Sequence, residues 1–228
     1  MRKESISFIL FIFSLVFSLD VYASKKTARF LAMSDLHFTP FDLCQKKETK
    51  KPCLQLIAEL NKSEVEKWND IFKKYYQNST FPVYGQNTNY PLFQSLLSEL
   101  KTISKNEDLS FVVILGDFLG HQYIEKYKLY AKDVTLNGQI NFVKKTFLYL
   151  TKEIRAAIPE NIEIYPVLGN NDSYIDNYNV DNPKTTNFYS DLKEIWAQFT
   201  PQIKVSNSFL NGGYYEANTQ IKKSPLRP

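Results

Sequence analysis

Three short polar motifs in this chain each follow an apolar run: Ser34-Asp35-Leu36-His37, Gly116-Asp117 with His121 four residues beyond, and Gly169-Asn170-Asn171-Asp172. Carboxylate oxygens, imidazole nitrogens and amide oxygens are donors for a divalent cation, and a spare imidazole can move protons. Residues i and i+2 of an extended chain face the same way, so Asp35 and His37 are expected to reach one cation together. An Asp-x-His triplet alone is weak, because it arises by chance. An aspartate placed like Asp117 is equally suited to capping the next helix. What carries weight is the same arrangement at the ends of three strands.

Those strands must bring the motifs together. Phe111 to Leu115 (FVVIL) is apolar, rich in β-branched residues and closed by glycine, which predicts a fully buried strand of a parallel sheet. Ala28 to Met33 and Ile162 to Leu168 predict two more. Between them, Leu92 to Ile103 and Gln139 to Ile158 have helical spacing, the second ended by Pro159. Strand, helix, strand, helix, strand is the pattern of an α/β fold with a parallel sheet, whose ligands sit outside the carboxyl ends of the strands.

The remaining segments are less informative. Residues 42–91 read as polar, aromatic and irregular, apart from a helical stripe of Val65, Trp68, Ile71, Phe72 and Tyr75 assigned to core packing. Residues 81–91 are expected to form a loop, and Tyr123 to Val134 a solvated helix face or a cleft lining. Asn137-Gly138 marks a turn, Thr186 to Phe199 a helix, and Phe209 to Tyr215 a turn followed by a short strand.

The chain has 228 residues, 43% hydrophobic and 23% charged, enough for one globular domain. Arg2 and Lys3 precede an apolar run from Ile6 to Leu19, and Val21-Tyr22-Ala23 suits a cleavage site, so residues 1–23 are expected to be a secretory signal peptide. The alternative, an uncleaved anchor, is short of the ~20 residues a spanning helix needs. The mature domain, residues 24–228, would then be secreted or periplasmic with no stable membrane span. Removing the leader takes away two cations and two anions, so the net charge stays at +4. Its lysines are scattered rather than gathered into a stripe, which argues against a nucleic-acid partner. Cys44 and Cys53 are the two cysteines, and in an exported protein the pair is expected to form a disulfide, two free thiols being the alternative.

Together, Asp-x-His, a Gly-Asp 82 residues on and a Gly-Asn-Asn-Asp 53 residues after that resemble the calcineurin-like metallophosphoesterase superfamily, over roughly residues 28–216. Within it the chain is most similar to the acid-sphingomyelinase-like phosphodiesterases, through Ser34 to His37, His121, Pro166 to Asp172, the Tyr174 region, Gly212 to Tyr215 and the early cysteine pair. The resemblance implies a metallophosphoesterase αββα sandwich and hydrolysis of phosphate esters of small molecules or lipids. It also implies two divalent ions, zinc first and manganese or iron as alternatives. By the same resemblance Asp35, His37 and Asp117 would hold the first metal, and Asp117 and Asn170 the second. His121 would be the general acid.

This sequence departs from the family pattern twice. The usual Gly-Asn-His is here Gly-Asn-Asn, so Asn171 stands where relatives carry a second catalytic histidine. An amide can donate a hydrogen bond but not a proton near neutral pH. Family members also continue into a half with a further metal-ligating histidine and Gly-His-x-His, whereas this chain has only His37 and His121. It is therefore read as the N-terminal half of the sandwich, with one sheet face left uncovered. Two readings follow: a secreted phosphoesterase, or an inactive remnant that binds at most one metal ion or a partner.

Overall fold

The computed structural model describes residues 28–77, 80–175 and 178–219, and the proposed signal segment lies outside them. Three parallel strands form one sheet in the order β1 (Arg29–Met33), β2 (Leu109–Ile114), β3 (Glu163–Pro166). This is the α/β architecture expected from the sequence. Register pairs Leu31 with Val112 and Val112 with Ile164, then Met33 with Ile114 and Ile114 with Pro166. These side chains share one face, and the helices cover it.

Eight α-helices lie among the described residues: α1 (Lys50–Lys62), α2 (Trp68–Tyr75), α3 (Tyr90–Asn106), α4 (Tyr123–Tyr130), α5 (Leu136–Ala157), α6 (Phe188–Trp196), α7 (Pro201–Val205) and α8 (Ser208–Gly212). The long α5 packs against α3, α4 and α6. Its buried stripe of Phe142, Phe147, Leu150 and Ile154 recurs at helical spacing and supplies the centre of the core.

The other face of the sheet is different. Phe30, Phe111 and Tyr165 point there, with Phe30 stacked on Phe111 at 5.0 Å and Phe111 beside Tyr165 at 5.7 Å. Phe30 is 56% exposed, and Phe111, Val113 and Tyr165 are only partly buried. The fully buried central strand expected from FVVIL is thus buried on one face, and Leu115 is exposed. An unbroken apolar run does not report which of its alternate side chains a second layer covers.

Several other expectations are corrected. The irregular region after residue 42 contains α1, whose Cys53, Leu56, Ile57 and Leu60 are buried. These four recur at i, i+3, i+4 and i+7, with Pro52 and the lysines confined to the helix ends. Asn137-Gly138 is no turn but the first turn of α5, capped by Thr135, whose side chain accepts from the Gly138 N–H at 3.0 Å. A Cβ at 138 would displace the exposed Asp133 carboxylate, which lies 2.5 Å from that point. The tyrosines of α4 neither line a cleft nor face solvent: Tyr123 and Tyr127 are buried against Phe142. Finally, residues 208–212 are helical, and Gly213, left-handed at φ 73°, ends the helix with no strand among residues 213–219.

Cys44 and Cys53 form a disulfide with Cα atoms 5.1 Å apart, tying a one-turn 3-10 helix (Asp42–Gln45) to α1. No helix among the described residues is long and apolar enough to cross a membrane.

Candidate metal centre

Past the ends of β1 and β2 the two chains stay zipped together without strand geometry. The Asp35 N–H donates to the Gly116 carbonyl at 3.3 Å, His37 to Asp117 at 2.7 Å, Phe38 to Phe118 at 2.9 Å, and Gly120 back to Phe38 at 2.9 Å. Within this zipper Asp35, His37 and Asp117 all have left-handed backbone, at φ 56°, 42° and 53°. Each such residue costs on the order of 1 kcal/mol or more and persists only where its surroundings impose it. Three at one point mark a site where side-chain direction outweighs backbone comfort. The convergence of Asp35 and His37 therefore arises from two left-handed residues, not from the strand alternation expected of them.

The surroundings that impose it are aromatic. Phe38 follows His37 and is fully buried, with ring centroids 5.2 Å from Phe93 and 5.7 Å from Phe72. Phe118 follows Asp117 and is equally buried, 5.3 Å from Trp196 and 5.9 Å from Phe147. Each polar donor is thus held by an apolar anchor one residue later. Burial of a phenyl group contributes roughly 2–3 kcal/mol, enough to offset the local strain.

The side chains meet as follows. His37 Nε2 lies 3.4 Å from Asp35 Oδ1 and 3.8 Å from Asp117 Oδ2, and one ligand atom from each of the three residues falls within 4.8 Å of the others. Donors bound to one zinc at ~2.0–2.1 Å stand roughly 3.3–3.4 Å apart in a tetrahedron, so these separations suit a shared cation after small adjustments. The donor types fit as well: two hard carboxylate oxygens and one imidazole nitrogen. The hydroxyl of Ser34 first, then the neighbouring His37, hold the Asp35 carboxyl below its ordinary value of 3.8 despite opposing desolvation. It is thereby kept anionic, as a ligand must be.

The third motif arrives from the end of β3. Gly116, at φ 86°, crosses Gly169 so closely that a Cβ on Gly116 would meet the Gly169 nitrogen at 2.4 Å. A Cβ on Gly169 would meet the Asp117 nitrogen and Oδ1 at 2.2 Å. Across this contact the Asn171 N–H donates to Asp117 Oδ1 at 2.9 Å. Asn171 is buried, and its side-chain Nδ2 and Oδ1 have no hydrogen-bond partner among the described residues. Asn170 is exposed, its carbonyl accepting from the Tyr178 N–H at 2.7 Å, and it borders a cavity of about 280 Å³ shared with Tyr178, Val180 and Tyr189.

Asp172 is the buttress of the crossing. It accepts from the Leu119 N–H at 3.1 Å and the Gly169 N–H at 2.9 Å, joining the two motif loops. Burial, opposed by these hydrogen bonds and aided by the charge of Asp117, pushes its carboxyl up to about 7.

His121 is exposed, and its ring stacks on His37 with centroids 4.2 Å apart. Asn87 has no place among the motif residues, yet it holds the backbone of His121: its Oδ1 accepts from the His121 N–H at 3.1 Å, and its Nδ2 donates to the His121 carbonyl at 3.4 Å. The only sequence signal for Asn87 was its position in an asparagine-rich loop.

A cavity of about 620 Å³ between α1 and α5 is larger than the one beside Asn170 but includes none of the motif residues. The chemistry, not the volume, identifies the candidate centre. No curated protein matches the sequence. The family model of the calcineurin-like phosphoesterase, however, matches residues 28–223. Its span runs from β1 past the last described residue and takes in all three motifs and the donor cluster they form. The chain belongs to the calcineurin-like phosphoesterase family.

Proposed function

We propose that the protein is a secreted, metal-dependent phosphoesterase of acid-sphingomyelinase-like type, acting on phosphate esters of small molecules or lipids. The observation that carries this is the convergence of Asp35, His37 and Asp117 on one point through three strained residues. In this reading those residues hold the first metal ion, and Asp117 with Asn170 contributes to a second. A bound divalent ion would supply Lewis-acid polarisation of the phosphoryl oxygen and a water acidic enough to attack near neutral pH.

The chain's own residues do the rest. Asp117 is kept in register by the Asn171 N–H, so Oδ2 remains turned toward His37. His121, exposed beside the cluster, gives a proton to the leaving oxygen. Asn171, in the position of a second catalytic histidine, has an enclosed amide and no proton to give, so the acid role rests on His121 alone. Residues 1–23 as a cleaved leader and 24–228 as the mature domain agree with the Cys44–Cys53 disulfide, which needs an oxidising compartment. The exposed aromatic face of the sheet supports this domain being one half of a two-sheet sandwich.

A second reading has its own support. His37 and His121 are the only histidines in the chain, and one three-residue ligand cluster occurs among the described residues. The protein would then bind a single ion without turnover.

Hydrolysis of a chromogenic phosphodiester by the purified protein, with zinc or manganese added, tests both. Turnover that disappears in Asp117→Asn supports the enzyme. One bound ion per chain with no turnover supports the second reading and overturns the first.

A further inference from the structure

The side chain of Asn87 pairs with His121 as a neighbouring strand would, accepting from its N–H and donating to its carbonyl. The two contacts fix which way the amide faces, since a reversed amide would set nitrogen against N–H. Lys126 Nζ adds a donor to the same carbonyl at 2.8 Å. Just before His121, a Cβ on Gly120 would lie 3.0 Å from Asn87 Cγ and 3.1 Å from the His37 carbonyl oxygen. Glycine there lets the amide lie flat against the chain.

Asn87 is itself tied to the ligand-bearing segment. The Thr88 N–H donates to the His37 carbonyl at 2.9 Å, and Thr39 donates to the Thr88 carbonyl at 2.9 Å. Residues 87 and 88 together therefore span from the backbone of one histidine to that of the other. An exposed imidazole has several rotamers open to it, so its place over His37 depends on where the backbone holds its Cα. Misplacing a reacting group by about 1 Å can cost ~100-fold in rate.

From this we infer that Asn87 is the positioning residue for His121, clamping its backbone so that the imidazole stays stacked on His37 and within reach of a leaving group. The inference rests on the proposed acid role of His121 only for its effect on rate; the effect on ring position is independent of that role.

Two measurements on Asn87→Ala, Asn87→Asp and His121→Ala test it, each variant first matched to wild type in thermal melting. In the first, phosphodiesters with a nitrophenolate and with an alkoxide leaving group are compared, because only the alkoxide needs a proton. Asn87→Ala should lose about 10-fold or more on the alkoxide substrate and much less on the nitrophenyl one. Asn87→Asp, which keeps the acceptor for the His121 N–H, should fall between. His121→Ala showing this contrast while both Asn87 variants lack it would overturn the inference. His121→Ala without the contrast would instead remove the proposed acid role.

The second measurement needs no turnover. With two histidines in the chain, the imidazole proton NMR spectrum has two ring systems, assigned by His121→Ala. Loss of stacking in Asn87→Ala or Asn87→Asp should move both rings toward their unstacked shifts. Ring shifts unchanged from wild type in both folded variants would overturn the inference whatever the activity.

Discussion

The backbone N–H of Asn171 donates to Oδ1 of Asp117 at 2.9 Å, while Oδ2 of the same carboxylate faces His37 Nε2 at 3.8 Å. One oxygen is thus committed to joining the second and third motifs, and the other is turned to the donor cluster. Asp117→Asn can keep the first contact through its amide oxygen but has no charge to offer a cation. Zinc titrated calorimetrically into the variant should bind at least ~100-fold more weakly, with the fold retained. Wild-type affinity would mean the cluster is not where zinc binds.

Gly169 tests the crossing itself. A methyl at this position lands 2.2 Å from both the backbone nitrogen and the Oδ1 of Asp117. The backbone nitrogen cannot swing away, and moving Oδ1 would break its hydrogen bond from the Asn171 N–H. Gly169→Ala should therefore lose about 1–3 kcal/mol in urea unfolding and lose metal affinity with it. A variant with wild-type stability would show that the two loops separate more easily than their contacts suggest.

A pH dependence of stability should trace to Asp42. Burial raises its carboxyl above the ordinary 3.8, although the Tyr76 hydroxyl and Asn89 Nδ2, the latter at 3.2 Å, both donate to it. The folded protein then holds this proton more tightly than the unfolded chain. Its contribution to stability is complete below the ordinary value and is lost as pH rises through the raised one. Asp42→Asn lacks that titration. The stability of wild type minus that of the variant should fall in urea melts as pH rises above the ordinary carboxylate value, and a constant difference would refute it.

The disulfide should matter in proportion to its small loop. Chain-entropy arguments give about 2–3 kcal/mol for a nine-residue separation. Reductant, or Cys44→Ser with Cys53→Ser, should lower the unfolding free energy measured in urea by that much. No shift would imply that α1 is held by Leu56, Ile57 and Leu60 alone.

Strand apolarity makes the sheet legible in the sequence: β1, β2 and β3 fall within a few residues of their expected places, and each motif follows its strand. Trp68 and Phe72 were equally legible as core. Less accessible was how Asp35 and His37 converge, because a left-handed φ at a non-glycine residue leaves no mark in the sequence. Helix α1 carries its buried Cys53, Leu56, Ile57 and Leu60 at regular helical spacing, a signal that was there to be read between the lysines and proline that flank it. Asn87, by contrast, was invisible. Its partner atoms belong to the backbone of His121, 34 residues away, and backbone atoms have no sequence identity.

Phe30, Phe111 and Tyr165 form a wet aromatic ledge along one side of the sheet. Ledges of that kind recruit one another in concentrated solution, since joining them releases ordered water. Crowding would therefore set an upper limit on how much of this chain stays dispersed. Trading Phe30 for serine is the simplest way to raise that limit while leaving the donor cluster at the far ends of the strands untouched.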